Sequence, residues 1–318
     1  MQFIPFLLLL LLWNPSDVKS QTDNLYTALN TAIEKSQAFD SEKLQRIENL
    51  KKTLSRKHYK GDANDRYLIY LKLFDEYESF NYDSTYLYAN KLEKLGIQLN
   101  DAEKIGLARI KLGFILITSG RYKESFDYLN SVNVKILHDS VKADYYFTRA
   151  RNYFDLGAYN DDEEFTPKYN KIGGMLIDSG IVFCDPNSFR YTFNKGDKAL
   201  HNGEPEKALH YFKRLLLNTH HLTQHEIART AAGISGIYSK ANNPEEAKRL
   251  IIISAIADCK SSTKETTSTY ILSQYLYKEN DLDRAYYYIN HAMDNANVYG
   301  SKLRGKLKKG RKSSTTSL

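Results

Sequence analysis

The sequence is poor in the residues and motifs that mark disulfide-stapled, metal-binding or hydrolytic proteins. Its two cysteines, Cys184 and Cys259, lie far apart, with no CxxC pair and no nearby histidine at zinc spacing. A disulfide framework is therefore not expected, and we predict two separate buried thiols, because free cysteine packs as a small apolar residue. No HExxH, phosphate-loop or GxSxG sequence is present, which argues against common metalloprotease, nucleotide-binding and hydrolase classes.

Long hydrophobic runs are absent except at the N-terminus. There, the apolar run Phe3–Trp13 contains six consecutive leucines and ends at Asn14-Pro15. Such a run is too short to span a bilayer as a stable helix. We interpret residues 1–20 as a signal peptide cleaved before Gln21, with a retained anchor as the alternative because no Lys or Arg precedes the run. The protein is thus expected to be exported, to the periplasm or the cell envelope.

The body of the chain has no excess of either charge, although the whole chain carries +7, from 45 Lys+Arg against 38 Asp+Glu. Seven of the basic residues lie after residue 301, where no acidic residue occurs, so the rest of the chain is balanced at 38 to 38. A folded domain that binds nucleic acid would need a basic surface of its own, and we expect no nucleic-acid partner for the body. Residues 301–318 are predicted to be a disordered basic tail that contacts anionic surfaces weakly.

Helix-forming residues and 25 tyrosines dominate what is present, and six prolines leave room for long helices. The segment Gly106–Leu129 reads as two helices joined by a tight turn at Ser119-Gly120. One such hairpin cannot bury its own apolar faces, so it predicts neighbouring copies. Copies are indicated by similar turns at intervals of about 37–46 residues, a spacing typical of helical repeats, at Gly120, Gly157, Gly203, Asn242 and Asn280. We predict an all-α solenoid of about 12 helices over residues 65–300, preceded by a helical hairpin and link over 21–64 that breaks at Phe39-Asp40.

Small residues stand before and after these turns, where two helices must touch. In this respect the sequence resembles tetratricopeptide repeats. Two stretches match the residue pattern of that family in order: Leu112-Gly113, Gly120, Tyr122 and Ser125, and then Gly196, Gly203, Ala208 and Phe212. The resemblance covers about Asp65–Tyr299 and implies an α-solenoid of tetratricopeptide-like hairpins.

A narrower resemblance is carried by the segments SEKLQRIENLKKTL, RYLIYLKLFDEYESFNYDSTYLYANKLEKL and KADYYFTRARNYFDLGAYN. They look like the N-terminal half of a tetratricopeptide family of Bacteroides-type bacteria, whose members resemble sensor-regulators with an exported repeat domain, one transmembrane helix and a cytoplasmic part. This chain departs from that plan after Gly300, where the basic tail follows instead of a membrane helix. We interpret it as a truncated or frame-shifted form of such a regulator.

Catalytic chemistry has little support in the sequence. His220, His221, His225 and Glu226 form the one metal-like cluster, but a zinc site needs three or four convergent ligands, and we predict a surface cluster. The acidic run Asp161–Glu164 lacks the glycine and alternating spacing of a calcium loop. We therefore expect a non-enzymatic protein without a metal or cofactor.

Ligand recognition is expected on the concave face, which the first helix of each hairpin lines in a solenoid. The resemblance implies a ligand site, because certain positions of the first helices commonly hold ligands in the tetratricopeptide family. In this sequence the predicted site consists of Phe147, Arg151, Arg190, Arg229, Tyr270, Gln274 and Tyr277. Asp144 and Phe193 occupy further positions of the same register. Guanidinium groups above aromatic rings would suit a carboxylate, such as a peptide terminus, or the face of a sugar. The alternative is that these are solvated charges over an ordinary core.

Three functions remain open. The first is the ectodomain of a sensor-regulator that binds a peptide, protein or glycan, and the second is a structural scaffold for envelope protein complexes. A weaker third is a metal-dependent enzyme built on the histidine cluster.

Overall fold

The structure is a computed structural model that describes residues 15–55, 62–265 and 267–300, with side chains described from residue 22 onward. These residues form fourteen α-helices and no strand. In chain order the helices are α1 Pro15–Glu34, α2 Ser36–Ser55, α3 Ala63–Tyr77, α4 Tyr82–Gln98, α5 Ala102–Thr118, α6 Tyr122–Asn130, α7 Asp139–Asn160, α8 Phe165–Ile181, α9 Phe189–His201, α10 Pro205–Leu216, α11 Gln224–Lys240, α12 Pro244–Lys260, α13 Ser268–Lys278 and α14 Leu282–Tyr299. The first fourteen residues of the predicted signal peptide and the whole predicted tail lie outside the described residues.

Twelve of the helices, α3 to α14, pack as six consecutive antiparallel hairpins. This confirms the predicted all-α solenoid. The helix starts follow ordinary capping chemistry, as at α11, where Thr223 and Glu226 form a reciprocal capping box. Pro205 and Pro244 occupy the first turns of α10 and α12, where a missing backbone N–H costs nothing.

Four of the five predicted turns have the left-handed backbone that a tight helix end requires. The φ angles are 74° at Gly120, 75° at Gly203, 56° at Asn242 and 62° at Asn280. Glycine and asparagine tolerate this conformation better than other residues do, which is why these turns are visible in the sequence.

The turn predicted at Gly157 is wrong. Helix α7 continues to Asn160, and the left-handed residue is Asp161, with φ of 47°. Gly157 is buried against α8, where an added Cβ would lie 3.4 Å from the side-chain oxygen of Asn170. Its carbonyl accepts hydrogen bonds from the Asp161 N–H at 2.9 Å and the Thr166 hydroxyl at 3.0 Å. The glycine therefore serves close packing of two helices.

Small residues lie at the seams within hairpins. An added Cβ at Gly196 of α9 would stand 2.5 Å from the Phe212 ring of α10, and one at Gly113 of α5 would stand 2.9 Å from Leu129 of α6. Ser125, Ala208 and Ala247, which follow their turns by five residues, are fully buried at 0% exposure. Small residues are therefore buried at these seams, but the side chains nearest to Gly196 and Gly113 are large, so the predicted contact of small residue with small residue is not what these glycines make.

The N-terminal region differs from its prediction. The chain breaks at Lys35, and Asp40 lies inside α2 instead of capping it. The two helices make little contact with each other: α1 packs mainly on α12 and also touches α14, while α2 packs mainly on α3. In the α1 contact Tyr26 stacks on Tyr288, and the Tyr288 hydroxyl donates to Asn30 at 2.8 Å. Burial on these distant helices, which no local pattern reveals, outweighs the local hairpin.

The solenoid closes on itself. The backbone N–H of Lys264, in the α12–α13 loop, donates to the Ser79 carbonyl at 2.7 Å, and the Asn81 amide donates to the Val298 carbonyl at 2.9 Å. The Tyr299 hydroxyl at the end of α14 donates to the Glu78 carbonyl at 3.3 Å. The last hairpin thus meets the first, and the inward-facing helices surround a central cavity. No helix in the described ranges combines the length and apolar character needed to cross a bilayer.

Candidate functional site

The central cavity has a volume of about 410 Å³ and is walled mainly by the first helices of four successive hairpins, α5, α7, α9 and α11. The end of α3 and the α12–α13 loop complete the wall through Glu78 and Glu265. The sequence places residues here in a regular way, because equivalent positions of stacked repeats face the same side. The cavity is therefore the inner, concave surface of the closed solenoid.

A ladder of alternating cations and aromatic rings runs along this inner surface. Each cation lies over a ring from the preceding inner helix: Lys111 over Phe74 at 4.8 Å, Arg151 over Phe114 at 4.7 Å, Arg190 over Phe147 at 5.4 Å and Arg229 over Phe193 at 4.4 Å, measured to the ring centroid. Cations within about 6 Å of a ring are attracted by its quadrupole. The ladder holds long basic side chains in defined positions around the cavity.

Three of the four cations also have a carboxylate partner. Arg190 donates to Asp144 at 2.6 Å, Arg151 to Asp155 at 3.3 Å and Lys111 to Asp75 at 3.4 Å. The pairs fix these side chains further. They also use part of the hydrogen-bonding capacity of the cations.

Arg229 differs from the other cations, because within the described ranges its guanidinium makes no ion pair and donates no hydrogen bond. Its side chain is solvent-exposed on the cavity side. Desolvation by the cavity wall, reinforced by the nearby positive charge of Arg151, lowers its pKa, and Asp197 and Glu78 partly offset that shift. Its donors therefore remain available to a ligand.

Two cavity carboxylates, Glu78 and Asp197, also form no direct ion pair with a lysine or arginine in the part of the chain that the structure describes. Burial raises the pKa of Glu78, an effect that Lys111 partly offsets. Burial likewise raises the pKa of Asp197, an effect that His201, whose Nε2 lies 3.7 Å from the carboxylate, and Arg229 partly offset. Burial lowers the pKa of His201, which Asp197 partly offsets. The His201 ring stacks on Phe154 with the ring centroids 3.9 Å apart. The cavity thus presents unpaired groups of both signs.

Four of the seven predicted site residues come together in this cavity, namely Phe147, Arg151, Arg190 and Arg229. The other three, Tyr270, Gln274 and Tyr277, lie on α13 and are not among the residues that line it. They form an outward stripe in which the Gln274 amide donates to the Tyr270 hydroxyl at 3.1 Å and Tyr277 is 71% exposed. The opposite face of α13, with Leu272 and Leu276, is buried in the core shared with α1.

Sequence reasoning missed several cavity residues. Lys111 was detectable, because it precedes Arg151 by the same spacing of about 40 residues that separates Arg151 from Arg190. Glu78 and Glu265 carry no comparable signal, since they reach the cavity only when the last hairpin meets the first.

The histidine cluster does not converge on a metal. Within the described ranges no group of three or more His, Cys, Asp or Glu side chains could hold a metal ion. Glu226 is engaged in the α11 capping box, and His225 contacts the Thr263 hydroxyl at 3.2 Å. The acidic run Asp161–Glu164 also contributes to capping a helix. The Asp162 carboxylate accepts hydrogen bonds from the backbone N–H groups of Glu164 and Phe165 at the start of α8.

Comparison with known proteins gives one family match and a shared fold. The model of the SusR N-terminal TPR domain matches residues 33–306, which is more than half of the chain. The chain is similar to the crystal structure of a Rap protein complexed with competence and sporulation factor, with a TM-score of 0.50 and 13% identity over 90% of this chain and 80% of that one. It is also similar to the apo form of RapI, with a TM-score of 0.36 and 14% identity over 92% and 86% of the two chains. No curated protein matches the sequence significantly.

Proposed function

Because the chain belongs to the family of SusR N-terminal tetratricopeptide (TPR) domains, we propose that it is a non-catalytic binding module that holds a peptide, a protein segment or a glycan in its central cavity. The observation that carries this proposal is the cation–aromatic ladder, in which Arg151, Arg190 and Arg229 line one open cavity. Pockets that combine aromatic walls with a few convergent polar groups are typical ligand sites.

The ladder side chains are preorganised for a ligand. Each guanidinium is held over a ring, so little side-chain freedom remains to be lost when a ligand arrives. Inside a cavity surrounded by protein, a hydrogen bond to a charged donor is also stronger than at an open surface. A solved Rap protein of similar fold is complexed with competence and sporulation factor, and we carry over from it only the idea that such a fold can bind a partner.

The biological role that we propose is sensing in the cell envelope. The apolar run Phe3–Trp13 supports export, and family membership supports a regulatory setting. The chain would then be the ligand-binding part of a sensor-regulator, in full or truncated form.

A structural scaffold is the second candidate. It is favoured by exposed aromatic side chains on the outer face of the last hairpin, where Tyr277 is 71% and Tyr286 is 62% exposed. A scaffold would hold protein partners through this outer surface and would not need the cavity.

A thermal-shift screen of the chain against short peptides and oligosaccharides tests the proposal. A ligand present at 100 times its Kd stabilises the folded state by about 2.7 kcal/mol. We expect at least one ligand to raise the melting temperature and Arg151→Met to abolish that shift. Arg214→Met, at an exposed position of α10 outside the cavity, is the matched control and should leave the shift unchanged. Shifts that survive Arg151→Met but are lost on Tyr277→Ser would favour the outer surface instead.

A further inference from the structure

A second cleft, with a volume of about 800 Å³, lies outside the central cavity. Side chains of α2 and α3 line it on one side, and the start of α11 and the end of α12 line it on the other. Among the described residues His225 alone lines both this cleft and the central cavity. The proposed function does not involve the second cleft, so the cleft needs an explanation of its own.

The second cleft is electropositive. Its lining contains four cationic side chains and two carboxylates, namely Lys43, Arg46, Lys72 and Lys260, and Asp75 and Glu76. Both carboxylates already have a cationic partner. Arg46 holds Glu76 through hydrogen bonds of 2.8 and 3.1 Å, and Lys111, which lies outside this cleft, pairs with Asp75 at 3.4 Å. Within the described ranges the three lysines of the cleft form no ion pair, so an anion that enters it meets cations without a partner.

Lys43 is the buried cation of this cleft. It is only 6% exposed, and in the part of the chain that the structure describes its ammonium group donates no hydrogen bond and forms no ion pair. The ammonium nitrogen lies 5.5 Å from the centroid of the Phe80 ring, a contact that leaves its three N–H donors without an acceptor. Burying an ammonium group in this way is costly, because the group loses its hydration without gaining hydrogen bonds in return.

The charges around Lys43 do not offset this cost. Burial lowers the pKa of Lys43 to about 8. Two neighbouring carboxylates attract the ammonium group and two neighbouring cations repel it: Glu76 of α3 and Asp40 of α2, against Arg46 of α2 and Lys264 of the α12–α13 loop. Asp40 and Glu76 are also engaged in ion pairs with these same two cations.

The start of α11 adds backbone donors close to Lys43. The N–H groups of Gln224 and His225 precede the first hydrogen bond of the helix, which runs from Ile227 to the Thr223 carbonyl, and they have no acceptor within the described ranges. Burial is the largest of the effects that lower the pKa of His225, and the charge of Lys43 is one of the others, so the two residues are electrostatic neighbours. A helix of this length concentrates partial positive charge at its N-terminus.

These groups are the donors that proteins use for oxyanions, because cationic side chains and free N–H groups at a helix N-terminus both favour negative charge. We propose that the second cleft is a binding site for a tetrahedral dianion, a phosphate or sulfate group, which Lys43, Arg46 and the start of α11 hold. Arg46 uses its Nε and Nη2 for Glu76, which leaves its Nη1 for the ligand. The excess of two cationic side chains matches a doubly charged group better than a carboxylate.

Isothermal titration of the chain with sodium sulfate at pH 7 tests the proposal, with sodium chloride at equal ionic strength as the reference. We expect saturable binding of sulfate, and Lys43→Met should weaken it at least about tenfold, because a hydrogen bond to a charged group is lost. Lys52→Met is the matched control, since Lys52 is an exposed lysine of the same helix outside the cleft. It should bind sulfate like the unaltered chain.

Loss of folding is distinguishable from loss of the site. Methionine fills a volume similar to that of lysine and removes a buried charge, so Lys43→Met should melt at the same temperature as the unaltered chain or above it in thermal denaturation followed by helical circular dichroism.

The pH dependence gives a second readout that a purely structural role of Lys43 would not produce. Sulfate keeps its double charge between pH 7 and pH 9, and His225, with a pKa of about 4, stays neutral. Lys43, with a pKa of about 8, loses most of its charge over this range. Sulfate affinity should therefore fall about tenfold from pH 7 to pH 9, and the residual binding of Lys43→Met should lack this fall.

Inorganic phosphate and glucose 6-phosphate, compared at pH 7, distinguish the free ion from an ester as the ligand. Tighter binding of glucose 6-phosphate than of inorganic phosphate, with no binding of glucose, would identify an ester, and equal binding would identify the ion. The proposal is overturned if sulfate and both phosphates bind no better than chloride, if their binding survives Lys43→Met, or if Lys52→Met weakens it equally. Arg151→Met should leave sulfate binding unchanged, so the result does not depend on the central cavity.

Discussion

Two adjacent glycines in α8 should respond in opposite ways to the same substitution. Gly173 faces α7, and a Cβ added there would lie 2.3 Å from the ring of Phe154. Gly174 has more room, since its added Cβ would lie 3.4 Å from the Asn202 side chain and 3.6 Å from Lys198, which are ordinary contact distances. Both residues lie within the helix and are buried.

The expected magnitudes follow from two opposing effects. Alanine stabilises a helix interior relative to glycine by about 1 kcal/mol, and this gain applies to both positions. At Gly173 the new methyl group must displace Phe154, which is 2% exposed and stacked on the His201 ring at 3.9 Å. Overpacking of this kind costs about 1–3 kcal/mol. Gly174→Ala should therefore raise the free energy of unfolding by up to about 1 kcal/mol, and Gly173→Ala should change it by between about zero and −2 kcal/mol.

Urea denaturation followed by helical circular dichroism measures both free energies of unfolding. Because the helix-propensity gain is shared, the difference between the two variants isolates the overpacking cost, which we expect to be about 1–3 kcal/mol. Equal stability of the two variants would show that the close approach of α7 and α8 at Phe154 is wrong, and with it this part of the cavity wall.

Three further predictions concern other parts of the molecule. Burial lowers the pKa of His225 to about 4 in the folded protein. The unfolded state therefore binds more protons below pH about 6.5, and stability should fall as the pH drops from there toward 4. In urea denaturation at a series of pH values His225→Phe should flatten this dependence, and an unchanged slope would contradict the prediction. Lys264 is 7% exposed and pairs with Asp40 at 2.7 Å. Asp40→Ala should therefore lower the free energy of unfolding by about 3 kcal/mol, and the double variant with Lys264→Met should recover part of that loss. A loss below about 0.5 kcal/mol would mean that the pair behaves as a surface ion pair. Cys259 is buried and Cys184 is partly exposed, so a thiol reagent should label Cys184 first and Cys259 only after unfolding, and equal rates would refute the described burial.

The turns of the solenoid could be predicted because their signal is local. A left-handed backbone at Gly120, Gly203, Asn242 and Asn280 depends on the residue itself, whatever its neighbours in space. Gly157 shows the limit of this reasoning, since glycine also permits two helices to approach closely, and the sequence alone does not distinguish these two uses.

The site was predictable only where it follows the repeat. Arg151, Arg190 and Arg229 recur at intervals of about 39 residues, and this periodicity was sufficient to place them on one surface. Tyr270 and Tyr277 continued the same register but do not line the cavity. The contacts that close the solenoid join residues far apart in the chain, as between Lys264 and Ser79 or between Tyr299 and Glu78.

The separation of α1 from α2 had no local signal either. Leu29 of α1 is fully buried in a core that it shares with α12, α13 and α14. An amphipathic pattern predicts that the apolar face of a helix will be buried, but it does not identify the helix that buries it.

The central claim is that the ligand binds inside the closed solenoid, and a crystal structure of the chain with the ligand found by screening tests it most directly. We expect ligand density between the inner helices, with a charged group of the ligand within hydrogen-bond distance of the Arg229 guanidinium. Density on the outer face beside Tyr270 and Tyr277, with the cavity filled only by water, would contradict it.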